Sequence, residues 1–114
     1  MRHVLVLDLV DDAEAIAAYR AWHRPGGPPP AVTRAIRESG IASMEIWQVG
    51  DRLVMVMVTT PAYDPVASAE RNALDPDIRA WETLMDRFQR RLPFAQAGQK
   101  WVPAERIYDL DAQP

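Results

Sequence analysis

Tyr19 and His23 stand four residues apart in the run Ala17-Ala18-Tyr19-Arg20-Ala21-Trp22-His23-Arg24. On a helix that spacing puts both side chains on one face. A phenol beside an imidazole can donate and accept protons near neutral pH, which is what a site acting on hydroxyls or carbonyls needs. The pair also has a plain structural use, packing with a surface imidazole, and spacing alone favours that use. Glu45 is a second acid of interest, because it interrupts the otherwise apolar stretch Ser43-Met44-Glu45-Ile46-Trp47. It is either an outward charge on a half-solvated sheet or an acid or base set within a cavity, and strand alternation alone leaves both open.

The elements that would carry these groups can be read along the chain. Val4 to Val10 is a β-branched and leucine-rich run bounded by Asp11-Asp12, and it reads as a first strand. Asp11, with Glu14 three residues on, has the form of a helix cap, so a first helix runs to about His23. Its apolar stripe is rich in alanine, which places it at a rim. The proline-rich stretch Arg24 to Pro30 cannot continue that helix. It is most simply a stiff connector; as part of a site it would be a rim or lid beside His23. Pro30 opens a second helix, Ala31 to Ser39, which Gly40 terminates.

Two strands follow, Ile41 to Val49 and Arg52 to Thr60, joined by a Gly50-Asp51 turn. Alternation sends Ala42, Met44, Ile46 and Gln48 to one face and Ser43, Glu45 and Trp47 to the other. Tyr63 to Ala73 can hold a short helix. A longer helix is expected from Pro76 or Asp77 to about Arg91, with Ile78, Trp81, Leu84, Met85 and Phe88 at core spacing. Glu105 to Leu110 reads as an edge strand. The order strand, helix, strand, strand, helix, strand is that of a ferredoxin-like α+β sandwich, an antiparallel sheet with helices on one face. The other face carries large apolar groups and must meet something, most simply a second copy of the chain in a homodimer.

Composition removes whole classes of function. The chain has 114 residues, the size of one domain over residues 1–114, with an ordinary share of apolar and charged residues. Without cysteine there is no disulfide, thiolate nucleophile or thiolate metal site, and the two histidines lack ligand spacing, so no metal is expected. A net charge of -3 with scattered arginines gives no nucleic-acid footprint. The apolar run at the N-terminus is too short for a signal peptide or membrane span, so a cytoplasmic protein is expected.

Taken in order, Tyr19-x-x-x-His23, Gly40-Ile41, Met44-Glu45-Ile46-Trp47, Leu53-Val54-Met55, Trp81-Glu82-x-Leu84-Met85, and Trp101 with Glu105-Arg106-Ile107 resemble the L-rhamnose mutarotase family over nearly the whole chain. The likeness is greatest to its L-fucose branch. It implies a dimeric α/β barrel of ferredoxin-like fold that uses no cofactor. It also implies that His23 is the proton-donating histidine, that Tyr19 contacts the sugar, and that Trp81 packs against it. In the family Trp81 has a tryptophan neighbour where Glu82 stands here, and a second-strand tyrosine where Met44 stands. Those two changes take away an aromatic face and a hydroxyl, and point to an L-fucose-like substrate. A third departure is Gly27-Pro28-Pro29, where the family has Trp-Pro-Glu.

Mutarotation opens a pyranose to its aldehyde, turns the carbonyl and closes the ring again. It needs a proton taken from the anomeric hydroxyl and one given to the ring oxygen, work for a group titrating near 7, and His23 fits. Glu45 is the candidate second proton-transfer group. Trp81, with Trp47 or Trp101, would supply a flat apolar wall for the sugar, and Met44 and Glu82 complete the expected binding set. Two alternatives share the fold: a cofactor-free monooxygenase, which predicts a drier cavity, and a non-catalytic small-ligand-binding dimer, which predicts a His23 bonded away from the cavity.

Overall fold

The computed structural model describes residues 1–114. Its order is β1 (Arg2–Leu9), α1 (Ala13–Trp22), α2 (Pro30–Glu38), β2 (Ile41–Val49), β3 (Arg52–Thr59), α3 (Pro65–Leu74), α4 (Pro76–Asp86), β4 (Gln89–Arg90) and β5 (Val102–Pro103), with a final 3-10 turn at Leu110–Ala112. The sheet is antiparallel in the order β2-β3-β1-β4, and β5 also pairs with β1. This is the ferredoxin-like arrangement, with each of its two helical connections divided into a pair of helices.

Short polar side chains start most of these helices. Asp12 caps α1 by accepting from Ala15 N at 2.9 Å, so the cap lies one residue later than the Asp11 expected from sequence. Asp64 accepts from Val66 N and Ala67 N at the head of α3, and Asp75 from Asp77 N at the head of α4. Each such cap satisfies backbone donors that the helix itself leaves free. Between β2 and β3 the register pairs Val49 with Arg52, leaving Gly50 and Asp51 as the two-residue turn, with Gly50 at φ +58.

Strand pairing sorts side chains into two faces. His3, Leu5, Leu7 and Leu9 of β1, Leu53, Met55 and Met57 of β3, and Met44 and Ile46 of β2 lie beneath the helices. Leu7, Leu9 and Leu53 are the most deeply buried of all, and Leu9 and Leu53 pack with Tyr19 and Met85 at the centre of the core. Burying a leucine side chain of this kind contributes about 1.5–3 kcal/mol. The opposite face is open: Val4, Val6, Val54, Val56 and Val58 form its middle, with Glu45 and Trp47 along the β2 edge, and no helix covers it. At one end of that face Asp8 is buried and accepts from Arg52 Nε at 2.8 Å and Nη2 at 3.2 Å, with Arg90 at 3.6 Å.

Two expected elements differ. The helix drawn to about Arg91 stops at Asp86, because the chain turns to pair with β1: Val10 N donates to Phe88 O, and Gln89 pairs with Leu9. Glu105 to Leu110 is not a strand. Beside β4 and β5 the last bond to the edge of β1 is Ala104 N to Val4 O, near the start of that strand, and Glu105 to Tyr108 run on exposed and unpaired.

Candidate active site

A cavity of about 630 Å³ lies between the covered face of the sheet and helices α2, α3 and α4, and Tyr19 and His23 from the end of α1 close one end of it. Its walls mix apolar groups, among them Met44, Ile46, Met55, Met57 and Trp81, with Thr33, Arg37, Ser43, Asn72, Glu82 and Gln89.

His23 sits at the cap of α1, where the last carbonyls of the helix lack intrahelical partners. Its Nδ1 lies 2.6 Å from the Tyr19 carbonyl oxygen. A carbonyl can only accept, so Nδ1 carries the hydrogen, and in the neutral ring Nε2 holds a free lone pair. The bond to the Tyr19 carbonyl is the one side-chain hydrogen bond His23 makes, so nothing in the protein bonds Nε2. Burial pushes the imidazole below its ordinary value of 6.5, against the opposing pull of the Tyr19 carbonyl, and so keeps the ring neutral at neutral pH. Aromatic neighbours hold the ring from two sides: Tyr19 with centroids 4.2 Å apart, and Trp81 at 5.7 Å in an edge arrangement. Trp81 in turn meets Trp22 edge-on at 6.1 Å.

Tyr19 is only 3% exposed. Its burial raises the phenol above the ordinary 10.0, which outweighs the lowering effect of a hydrogen bond from Gln89 Nε2 at 3.4 Å. The hydroxyl therefore stays protonated throughout the neutral range and acts as a donor. Lys100 bridges Glu82 and Asp86 of α4, each at 2.7 Å, and so ties down the segment that carries Trp101 to the cavity.

Of the eight residues singled out from sequence, Tyr19, His23, Met44, Trp81, Glu82 and Trp101 line this one cavity. Trp47 does not. It is 61% exposed and lines only a shallower neighbouring depression, which it shares with Tyr19 and His23. Glu45 lines neither, for it alternates onto the open face opposite Val56 and is exposed. The burial that would suit it to proton transfer is missing, so the acid-base role expected for it has no geometric support in this chain. Sequence reasoning missed Gln89, which it placed inside a helix, and the polar far wall at Arg37, Ser43 and Asn72. The β-bulge between Ile41 and Ser43 brings Ile41, Ala42 and Ser43 all to the cavity, and strict alternation could not have foreseen it.

The proline-rich segment supplies one wall residue, Pro28. Next to it Gly27 is packed so tightly against the end of α1 that a Cβ there would lie 2.5 Å from the Trp22 carbonyl oxygen. A tryptophan at position 27 has no room in this backbone, which accounts physically for the glycine at that departure from the family pattern.

With this geometry in view, likeness to known proteins decides the family. The sequence profile described as L-rhamnose mutarotase matches residues 2–110. The chain belongs to the L-rhamnose mutarotase family. A protein of Xanthomonas campestris pv. campestris named L-fucose mutarotase is 52% identical over 105 residues, covering 92% of this chain and 84% of that protein. A Dictyostelium discoideum protein named only as a UPF0734 protein is 33% identical over 109 residues, 92% of this chain and 86% of its own. Among solved structures, an L-rhamnose mutarotase from Formosa agariphila superposes with a TM-score of 0.69 at 14% identity, covering 96% of this chain and 98% of that one. Tetracenomycin F2 cyclase from Streptomyces glaucescens superposes with a TM-score of 0.53 at 20% identity, covering 96% and 95%. The two structural likenesses establish the fold, the dimeric α/β barrel type, and the sequence likenesses establish the family.

Proposed function

We propose that this protein is a mutarotase that interconverts the α and β anomers of a 6-deoxy-sugar pyranose, L-fucose in preference to L-rhamnose. The observation that carries the reading is His23, its Nδ1–H tied to the Tyr19 carbonyl and its Nε2 left free at the wall of a cavity with ample room for a monosaccharide. In ring opening Nε2 takes the proton of the anomeric hydroxyl as the C1–O5 bond breaks and C1=O1 forms. The imidazolium then returns that proton to O5, giving the neutral hydroxyaldehyde. Both oxygens are bonded to C1, so one nitrogen can serve both. After rotation about C1–C2 the same steps run backwards on the other carbonyl face. Protons alone balance the reaction, and catalysis of this type is worth roughly 10² to 10⁴ in rate.

Tyr19 donates to a sugar oxygen and Trp81 offers its apolar surface to the ring and methyl group. Support for L-fucose comes from Met44 and Glu82 at two wall positions and from the name of the Xanthomonas relative. The polar wall groups, set in a mostly apolar lining, can bond the hydroxyls of a sugar whose methyl group the apolar part would receive. The free Nε2 argues against a purely binding role.

We also infer a homodimer through the open sheet face, supported by its five valines and the exposed Trp47 beside them.

Saturation-transfer NMR on L-fucose and L-rhamnose, with wild-type protein and His23→Ala, tests the reaction. Faster anomer exchange on L-fucose, lost in the variant, is the expected result. No acceleration on either sugar by folded protein would refute the assignment.

A further inference from the structure

The Oε1 atom of Gln89 is the one buried side-chain oxygen or nitrogen in the molecule without a hydrogen-bond partner. Leaving a buried acceptor unmade costs its full desolvation, so native proteins rarely keep one without a use. Its position is not accidental: Gln89 belongs to β4, pairs with Leu9, shares that residue's face of the sheet and lines the cavity beside Tyr19. The other end of the same amide is engaged, with Nε2 donating to the Tyr19 hydroxyl at 3.4 Å.

We propose that Gln89 is a specificity-determining residue of this site: its Oε1 accepts a hydrogen bond from a ring hydroxyl of the bound sugar, and its Nε2 turns the Tyr19 hydroxyl hydrogen towards the same sugar. The inference rests on the mutarotase reading. A protonated phenol whose oxygen already accepts from Gln89 keeps its own hydrogen free for a ligand. The pair then presents one donor and one acceptor side by side, the complement of two neighbouring sugar hydroxyls. A site built to bond a hydroxyl discriminates strongly against the analogue that lacks it, since its buried polar group is then left unpaired.

The test is a cycle between protein and sugar. Anomer exchange of L-fucose and of its 2-, 3- and 4-deoxy analogues is measured against concentration with wild-type protein and with Gln89→Met, which keeps the length and apolar bulk. In the wild type one analogue is expected to show a KM about tenfold above that of L-fucose. In Gln89→Met the KM for L-fucose itself rises about tenfold, and the same analogue loses nothing further. If Gln89→Met does not fold, Gln89→Leu replaces it, since it too removes both the acceptor and the donor and carries the same two expectations. An analogue penalty unchanged by either variant overturns the proposal. Wild-type exchange of L-fucose without such coupling removes Gln89 alone, whereas a wild type that neither exchanges nor binds L-fucose removes the mutarotase reading and this inference with it.

Discussion

Replacing His23 by alanine removes the only free imidazole nitrogen at the cavity, and the structure permits its chemical and structural costs to be separated. On the chemical side the variant loses general acid-base catalysis, 10² to 10⁴ in rate, or about 3–5.5 kcal/mol at 1.36 kcal/mol per decade. On the structural side it loses the ring contacts with Tyr19 and Trp81, worth about 0.5–1.5 kcal/mol each, and the part-buried hydrogen bond to the Tyr19 carbonyl, worth about 0.5–1.5 kcal/mol. The first loss is read in the rate and the second in the stability, so the two are measured separately. A variant that still melts cooperatively but exchanges anomers at least a hundredfold more slowly is the expected outcome, with exchange read by saturation transfer and folding by circular dichroism.

The protonation state sharpens that prediction. Burial lowers the pKa of His23, so the base form is already present at neutral pH. kcat/KM should then rise with pH through an inflection below 6.5 and stay flat at least to pH 10, because Tyr19 ionises only above its ordinary value. Stability is linked with the same sign. The unfolded chain takes up a proton at His23 near 6.5 and the folded chain only at lower pH, so the folded state has its full advantage above 6.5 and loses it as the pH falls towards the folded value. His23→Ala should accordingly show a shallower drop in Tm between pH 7 and pH 5 than wild type. An activity that instead falls as pH rises through 6 to 7 would refute the argument, since the imidazolium would then be the form that begins the cycle.

Three further outcomes follow from geometry outside the proton chemistry. Gly27→Ala drives a methyl group to 2.5 Å from the Trp22 carbonyl and should cost about 1–3 kcal/mol, read as a lower urea midpoint; an unchanged midpoint would show that the rim shifts freely. Val56→Asp puts a charge in the middle of the open sheet face and should convert the proposed dimer to folded monomer in sedimentation velocity; a dimer unaltered by it would place the interface elsewhere, and a monomeric wild type would refute the dimer. Arg52, by its hydrogen bonds and charge, holds the Asp8 carboxyl below its ordinary 3.8, so this contribution is complete above pH 3.8 and is lost as pH falls through the folded value. Asp8→Asn should be less stable than wild type at pH 7 by urea denaturation and lose less on moving to pH 3; equal losses in both proteins would exclude Asp8 as a source of the acid sensitivity.

Most of the site could be read from residue spacing because its key parts are local. Tyr19 and His23 share a helix turn, and Met44 and Trp81 fall on the inward phases of a strand and a helix. What escaped depends on the rest of the chain. Gln89 continues the helical pattern of α4, but pairing with Leu9 outweighs that local preference and turns the side chain to the cavity. Glu45 and Trp47 looked like site residues by type, and only the register of β2 against β3 shows that their phase is the open one. The tail after Ala104 has strand-like composition, yet its last bond to the sheet is Ala104 N to Val4 O, near the start of β1, and most of the tail runs on past the end of that strand.

That register is also what keeps chemistry and assembly apart in so small a chain. β2 is an edge strand with large side chains on both faces, and a slip of one residue would exchange Met44 and Ile46 for Glu45 and Trp47 at the cavity wall. Two local features oppose the slip: the two-residue Gly50-Asp51 turn, with Gly50 at positive φ, at one end, and the bulge between Ile41 and Ser43 at the other. With both ends pinned, one face of the strand delivers an apolar wall to His23 and the other delivers Trp47 beside Val54 and Val6, on the surface where a second copy would bind. A substitution on the open face can therefore alter assembly without entering the cavity, and one on the cavity face can alter the sugar site without touching the interface. The pairing that puts Gln89 next to Tyr19 belongs to the same sheet, so the strands set the position of the hydroxyl-reading amide as well as that of the wall.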